Sequence, residues 1–269
     1  MLNLCLTKNY LDPETISMST PDPAPRRMFS GVGQFAAILA VVLLMKVVAA
    51  EAFYVPSGSM QPTLLIGDEL VVSKFPYGYS RYSLPIAVGP SLPARLLGRL
   101  PERGDVVVFR LPRDPSQTYV KRVVGLPGDR VQMRDGRLWI NGKILPLRRD
   151  GFGEVEVQDG GIVRAARYVE TLPGGREHPL FKLTGSGDLD DTAVFEVTPG
   201  HVFVMGDNRD DSADSRLSPI AGGVGLVPVE NLVGRVEVVL GSWDLAAAQH
   251  PIWTWPSGLR LSRFFSRVD

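Results

Sequence analysis

One cysteine, Cys5, and three histidines, His178, His201 and His250, are all this chain of 269 residues has of the side chains that most often bind metals or activate nucleophiles. A single cysteine excludes an intramolecular disulfide and a thiolate metal site. Three histidines so far apart argue against a histidine metal centre, and neither metal nor cofactor is expected. Nor is there an excess of charge. Lys plus Arg and Asp plus Glu both total 29, so the basic surplus of a nucleic-acid binder is missing. Glycine and proline, at 28 and 22 residues, are plentiful, which favours short strands and turns over a helix bundle. The length suits one large or two small domains with a sizeable core.

Long apolar runs are also scarce, with one exception. Residues 29–50 read "FSGVGQFAAILAVVLLMKVVAA". As a helix this run would extend roughly 33 Å at about 1.5 Å per residue, close to a hydrocarbon core of about 30 Å. Lys46 lies near one end, where a long side chain can snorkel. Arg26 and Arg27 precede the run, so the positive-inside rule puts the N-terminus in the cytoplasm and residues 51–269 outside. The "AEA" at residues 50–52 resembles a signal-peptide cleavage site. The long preceding tail and Lys46 oppose cleavage. A single uncleaved transmembrane helix over 28–50 is expected, behind a disordered tail over 1–27 that carries Pro13, Pro21, Pro23 and Pro25.

Beyond the anchor, strand signals dominate. "DELVVSKF" (68–75), "DVVVFRL" (105–111), "TYVKRVVGL" (118–126), "RVQMRDGRLWINGKIL" (130–145), "AVFEVT" (193–198), "HVFVMGD" (201–207) and "RVEVVL" (235–240) are short, β-branched and bounded by Gly, Pro or Asp. Asp135-Gly136 and Asn141-Gly142 are hairpin dipeptides. Three Gly-Asp pairs, at 67–68, 104–105 and 128–129, read as turn punctuation. Residues 146–192, rich in Gly, Asp and Arg, read as a peripheral insertion. The expected fold is mainly β, an antiparallel sheet domain with a peripheral β-rich insertion, preceded by one transmembrane helix.

Three stretches carry chemistry. "FYVPSGSMQPTLLIGDELVVSKF" (53–75) places Ser57 and Ser59 in a turn just past the anchor. A serine hydroxyl attacks poorly unless a base takes its proton. His201 with Asp207 could supply a triad. Lys121, in "TYVKRVV", is the other option. Alternation puts it on the face of Tyr119 and Val123, with Arg122 on the opposite face. Read alone, Lys121 is an ordinary strand lysine facing solvent. To act as a base near pH 7 its pKa must fall by roughly 3, about 4 kcal/mol, which burial against apolar side chains can supply. "MGDNRDDSADSR" (205–216) packs four Asp, two Arg and two Ser into twelve residues. That density suggests a salt-bridged loop holding a hydroxyl in place.

Together these stretches, with "RGDVVVFRLP" and "YVKRVVGLPGDRV", resemble bacterial type I signal peptidases, the Ser/Lys membrane proteases of preprotein export. The pieces occur in the family's order over about residues 30–240. The resemblance implies Ser59 as nucleophile and Lys121 as general base. It implies Ser57 as an oxyanion donor beside the Ser59 N–H, and Ser212 as the hydroxyl that orients the lysine. Asp207 would pair with Arg122, and Asp214 with Arg216. Val55, Met60, Leu64 and Val120 would wall the pocket for the residue before the scissile bond. Phe53 and Val108 would form the pocket two residues further back, and the substrate would add as a strand beside "FYVP" and "TYV", against Tyr119. Implied partners are preprotein signal peptides with Ala-x-Ala-like ends and the lipid bilayer. The implied place is the bacterial inner membrane, single-pass, with an extracytoplasmic catalytic domain and a monomeric chain.

The expected organisation is a catalytic β-domain over 51–128 and 193–245, an inserted hairpin and loop subdomain over 129–192, and a C-terminal segment over 246–269. Trp253, Trp255, Phe264 and Phe265 with Arg260, Arg263 and Arg267 suit that segment either to a bilayer interface or to a helix packed on the domain. Rival readings are a specialised conjugation-type Ser/Lys peptidase and a tethered β-domain that binds exported peptides without cutting them. SOS-repressor autoproteases share the Ser/Lys chemistry, but the anchor and neutral charge oppose that reading.

Overall fold

The computed structural model describes residues 31–83, 95–157, 161–244 and 256–268. The tail expected over 1–27 and the tryptophans Trp253 and Trp255 lie outside the described residues. The chain divides into two units, 1–40 and 41–269. Helix α1 (Gly31–Val48) is 18 residues long, about 27 Å of helix. Phe35, Ile38, Leu39, Val41 and Val42 are exposed along it. Among the described residues no helix is long and apolar enough to cross a membrane. The span expected over 28–50 is corrected at its end: Ala50 already belongs to strand β1 (Ala50–Tyr54), where it pairs with Ser73.

The main sheet is antiparallel. It is built from β1, β2 (Asp68–Ser73), β3 (Val106–Leu111), β4 (Asp114–Gly125), β12 (His201–Met205), β13 (Val227–Pro228) and β14 (Leu232–Ser242), in the order β1-β2-β14-β3-β4-β12-β13, with β15 (Ser266–Arg267) pairing on β14. β5 (Arg130–Arg134), β6 (Arg137–Ile140), β7 (Lys143–Ile144) and β11 (Phe195–Glu196) make a second sheet, and β8 (Leu147–Glu156), β9 (Ile162–Thr171) and β10 (Glu177–Lys182) a third. The boundary expected at 192/193 therefore shifts. β11, assigned to the main domain, pairs with β5 of the insertion through Phe195↔Val131. The stretch over 146–192, read as a peripheral insertion, holds the three strands of the third sheet.

Turn chemistry follows the sequence closely. Asp135-Gly136 and Asn141-Gly142 take positive φ at both residues, the requirement of a type I′ hairpin. The three Gly-Asp pairs form one repeated device. Each aspartate carboxylate accepts the backbone N–H three residues earlier, from Leu65, Glu102 and Leu126. At the centre of the sheet Gly234 lets β2 approach β14, since a Cβ there would lie 2.2 Å from the Ser73 carbonyl oxygen.

The described part of the C-terminal segment docks on this sheet. Arg260 Nη1 donates to the Ile66 carbonyl, Arg263 Nε donates to Asp68 Oδ1 at 3.0 Å, and Val268 packs on the core. Two of the arginines counted for a bilayer interface thus face the protein, while Leu261 and Phe265 remain exposed.

The core under β1, β2, β3 and β14 is Val55, Met60, Leu64, Leu70, Val72, Val106, Val108, Val233, Val236 and Val239. Leu64 is wholly buried in it. Leu64→Ala should therefore lower unfolding free energy by about 2–5 kcal/mol in denaturant melts. A loss under about 1 kcal/mol would move Leu64 from the core to a surface wall.

Candidate active site

The segment joining β1 to β2 is a 3-10 turn, Gly58–Met60, entered from an extended Ser57. The turn splits its residues between two surroundings: Met60 points into the core, and Ser59 points at β4. Lys121 lies on β4 opposite Val107 of β3. Its Nζ is 2.7 Å from Ser59 Oγ and donates to the Val120 carbonyl at 3.0 Å. The Tyr119 ring lies 5.6 Å away. Ser59 and Lys121 are only 9% and 4% exposed. Burial pushes the Lys121 amine down from 10.5 to about 8, against the opposing fields of Asp214, Asp207 and Asp211. Desolvation penalises the ammonium and leaves the neutral amine alone. Ser57 Oγ is 3.4 Å from Ser59 Oγ.

A cleft of about 470 Å³ opens onto this pair. It lies between two free strand edges. Among the described residues β1 pairs only with β2, and the β4–β12 ladder ends at Met205↔Arg122, leaving Thr118 to Lys121 without a strand partner on that side. Phe53, Val108, Tyr119 and Val120 line the cleft, as the sequence expected, together with Tyr54, Leu70 and Ala213. Val55, Met60 and Leu64 lie in the same buried cluster as Leu70 and Val108, which floor the cleft.

The 205–216 loop holds the site by ion pairs that water does not reach. Arg122 Nε and Nη2 donate to the two oxygens of Asp207, each at 2.9 Å, and Nη1 donates to the Gly104 carbonyl. Burial alone would raise Asp207, but Arg122 and His178 hold it well below the carboxylate range. Arg216 Nε and Nη2 donate to Asp214 at 2.9 and 2.8 Å, and Asp214 also accepts the Gly206 N–H. Both expected pairs are formed. Gly206 is required by close approach, since a Cβ there would meet Ser212 Oγ at 2.3 Å and the Ser59 carbonyl at 2.5 Å. Ser212 is buried beside the site, but among the described residues its Oγ has no hydrogen-bond partner. The bond expected from Ser212 to Lys121 is not made: the amine bonds Ser59 and Val120 instead.

His201 takes no part. Its Nδ1 lies 3.0 Å from Thr198 Oγ1 at the mouth of β12. Asp207, its supposed partner, is engaged by Arg122. The histidine beside Asp207 is His178, wholly buried, with Nδ1 3.3 Å from Asp207 and Nε2 3.3 Å from Glu170. Glu170 in turn receives both arms of Arg209. Burial acts to raise Glu170, and Arg209 overrides it, bringing the carboxyl to about 2. Asn208 donates its backbone N–H to the Ser59 carbonyl and its side-chain amide to the Gly58 carbonyl. Sequence reasoning missed all four. Asn208 and Arg209 stand inside the quoted loop, whereas Glu170 and His178 lie in the insertion, where no local pattern marks them. Among the described residues no group of His, Cys, Asp and Glu is arranged to hold a metal ion.

A family model described as "Signal peptidase, peptidase S26" matches residues 28–243. A signal peptidase I from Rickettsia typhi is 36% identical over 250 residues, covering 87% of this chain and 91% of that protein. The signal peptidase I of Rickettsia prowazekii is 36% identical over 252 residues, covering 88% and 92%. A crystal structure of a signal peptidase I from Enterococcus faecalis is 27% identical and covers 51% of this chain and 97% of its own, with a TM-score of 0.29.

The buried amine has a stability signature. Between its folded pKa of about 8 and its ordinary 10.5, the folded state binds fewer protons than the unfolded one. Stability therefore rises with pH across that window, and below it Lys121 costs about 3 kcal/mol. Lys121→Met should stabilise the protein by about 2–3 kcal/mol at pH 7, and by under about 1 kcal/mol near pH 10.5. A pH-independent difference in denaturant melts would mean that the amine is not held neutral by burial.

Proposed function

The chain belongs to the signal peptidase, peptidase S26 family and is a serine endopeptidase, and on that premise we propose that it removes N-terminal signal peptides from exported preproteins after Ala-x-Ala-like ends, through a Ser59/Lys121 dyad and an acyl-enzyme. The observation that carries the reading is the 2.7 Å contact between Lys121 Nζ and Ser59 Oγ, buried at the floor of a cleft bounded by two unpaired strand edges. The preprotein enters extended and hydrogen-bonds to both edges. Side chains that alternate toward the floor meet Val120 near the bond and Phe53 and Val108 further back. Small residues fit there.

Neutral Lys121 takes the Ser59 proton as Oγ attacks the scissile carbonyl carbon. The resulting oxyanion is met by the Ser59 N–H and the Ser57 hydroxyl, each such donor contributing about 3 kcal/mol. The lysine ammonium then gives its proton to the leaving amine, and the C–N bond breaks. Water, deprotonated by the same amine, attacks the ester and releases the signal peptide's new carboxylate. Ser212 is assigned the positioning of the amine during the reaction; it lies buried against Gly206 beside the Ser59 carbonyl, though it makes no bond to Lys121 in this state, and the Arg122–Asp207 and Arg216–Asp214 pairs brace the loop that carries it.

The chain is anchored in the bacterial inner membrane with its N-terminus in the cytoplasm and its catalytic domain outside. Supporting this are the exposed apolar side chains of α1 and the arginines before it.

Incubation with a preprotein tests the reading. Wild type should release the mature chain, and Ser59→Ala should not. Lys121→Arg keeps a positive charge but cannot be deprotonated, so it should lose cleavage while staying folded. Wild-type kcat/KM should rise with pH through about 8, the value set by burial of Lys121, and level off above it. A folded Lys121→Arg protein with near wild-type turnover would refute the mechanism.

A further inference from the structure

Four aspartates lie in the 207–216 loop, and three are committed to the protein. Asp207 is held by Arg122, Asp214 by Arg216, and Asp210 by the Leu183 and Thr184 N–H groups. Asp211 differs. It is exposed on the cleft wall with Lys121 and Ala213. Among the described residues its carboxylate has neither a hydrogen bond nor an ion pair. Lys121 and Asp211 are the only ionisable acid or base groups lining the cleft besides the tyrosines Tyr54 and Tyr119. Once Lys121 is neutral, as the dyad requires, Asp211 is the one formal charge in the cleft wall.

We propose that Asp211 is a specificity-determining residue that selects against an acidic side chain, and for a basic one, at the substrate positions flanking the scissile bond. This rests on the reading of the site as a peptidase dyad. The geometry behind it is simple. An extended peptide advances about 3.3 Å per residue, and the residues on either side of the bond attacked by Ser59 share the cleft that Asp211 lines. A unit charge about 6 Å from a carboxylate would change binding by about threefold at the dielectric of water and about a hundredfold at that of a protein surface. A half-wet cleft falls between, near tenfold. Among the described residues lining the cleft Lys121 is the one cation, and once it is neutral the carboxylate's field reaches the peptide. Since the contact is open to solvent, salt screens it.

The test uses the full chain in detergent and peptides with one Ala-x-Ala-like end, differing only by Lys, Gln or Glu at the first position after the bond. A second set varies the second position before it. Assays run near pH 9.5, above the titration of Lys121, because removing Asp211 also changes the field on that amine. In at least one set the wild type should favour Lys over Gln about tenfold, and Lys over Glu about a hundredfold, in kcat/KM at about 0.05 M salt, and both ratios should shrink toward one near 1 M. Asp211→Asn should bring both close to one, and Asp211→Lys should invert them. A wild-type ratio near one in both sets, or a ratio that Asp211→Asn leaves unchanged, overturns the proposal. If the wild type cuts none of the peptides while remaining folded, the dyad reading falls, and this inference falls with it.

Discussion

Lys121 Nζ sits 2.7 Å from Ser59 Oγ where almost no solvent reaches either group, and the cost of charging an amine there governs what surrounds it. Desolvation alone would drive the amine down further than it goes. Three aspartates, Asp214, Asp207 and Asp211, act in the other direction. Two of these carboxylates are locked in bidentate contact with arginines, so much of their field is cancelled before it reaches the lysine. An unpaired Asp207 or Asp214 would pull the amine back toward its charged form. The ion pairs therefore do more than fix the loop: they keep the anions this loop needs for its shape from charging the base.

The same logic explains why the third sheet matters. Phe181 of β10 exchanges backbone hydrogen bonds with Asp207 and Arg209, and His178 and Glu170 close the buried network from that side. Leaving one buried ion uncompensated costs about 3–5 kcal/mol, so β9 and β10 are part of the support of the site although they contribute nothing to the cleft wall. Gln61 ties the same sheet to the serine turn, bonding both ways with the backbone of Glu156. The insertion is peripheral in sequence but touches the active-site turn and loop at several points.

Much of this was legible before any coordinates. Alternation along "TYVKRVV" put Lys121 and Arg122 on opposite faces, and the structure has them bonded to Ser59 and Asp207 respectively. Asp-Gly and Asn-Gly marked the hairpins because both dipeptides accept positive φ. What the sequence concealed was long-range or conformational. Met60 follows Ser59 directly, and the burial of its side chain in the cluster beneath the cleft depends on the 3-10 turn. Glu170 and His178 lie far along the chain from the loop they brace, and "GREHPLF" has no local pattern to announce a buried histidine between two carboxylates. The exposed, unpartnered state of Asp211 was likewise invisible: in the sequence it is one of four similar aspartates.

The central claim is that burial lowers the Lys121 amine from 10.5 to about 8, so that the neutral base is available at mildly alkaline pH. Site-resolved NMR of the wild-type protein, following the Lys121 side-chain carbon and nitrogen shifts against pH, measures this without reference to catalysis. The account predicts titration of that one lysine near 8, well below its ordinary 10.5, with Ser59→Ala leaving it depressed because the cause is desolvation. A Lys121 that titrates with the surface lysines above 10 would contradict it.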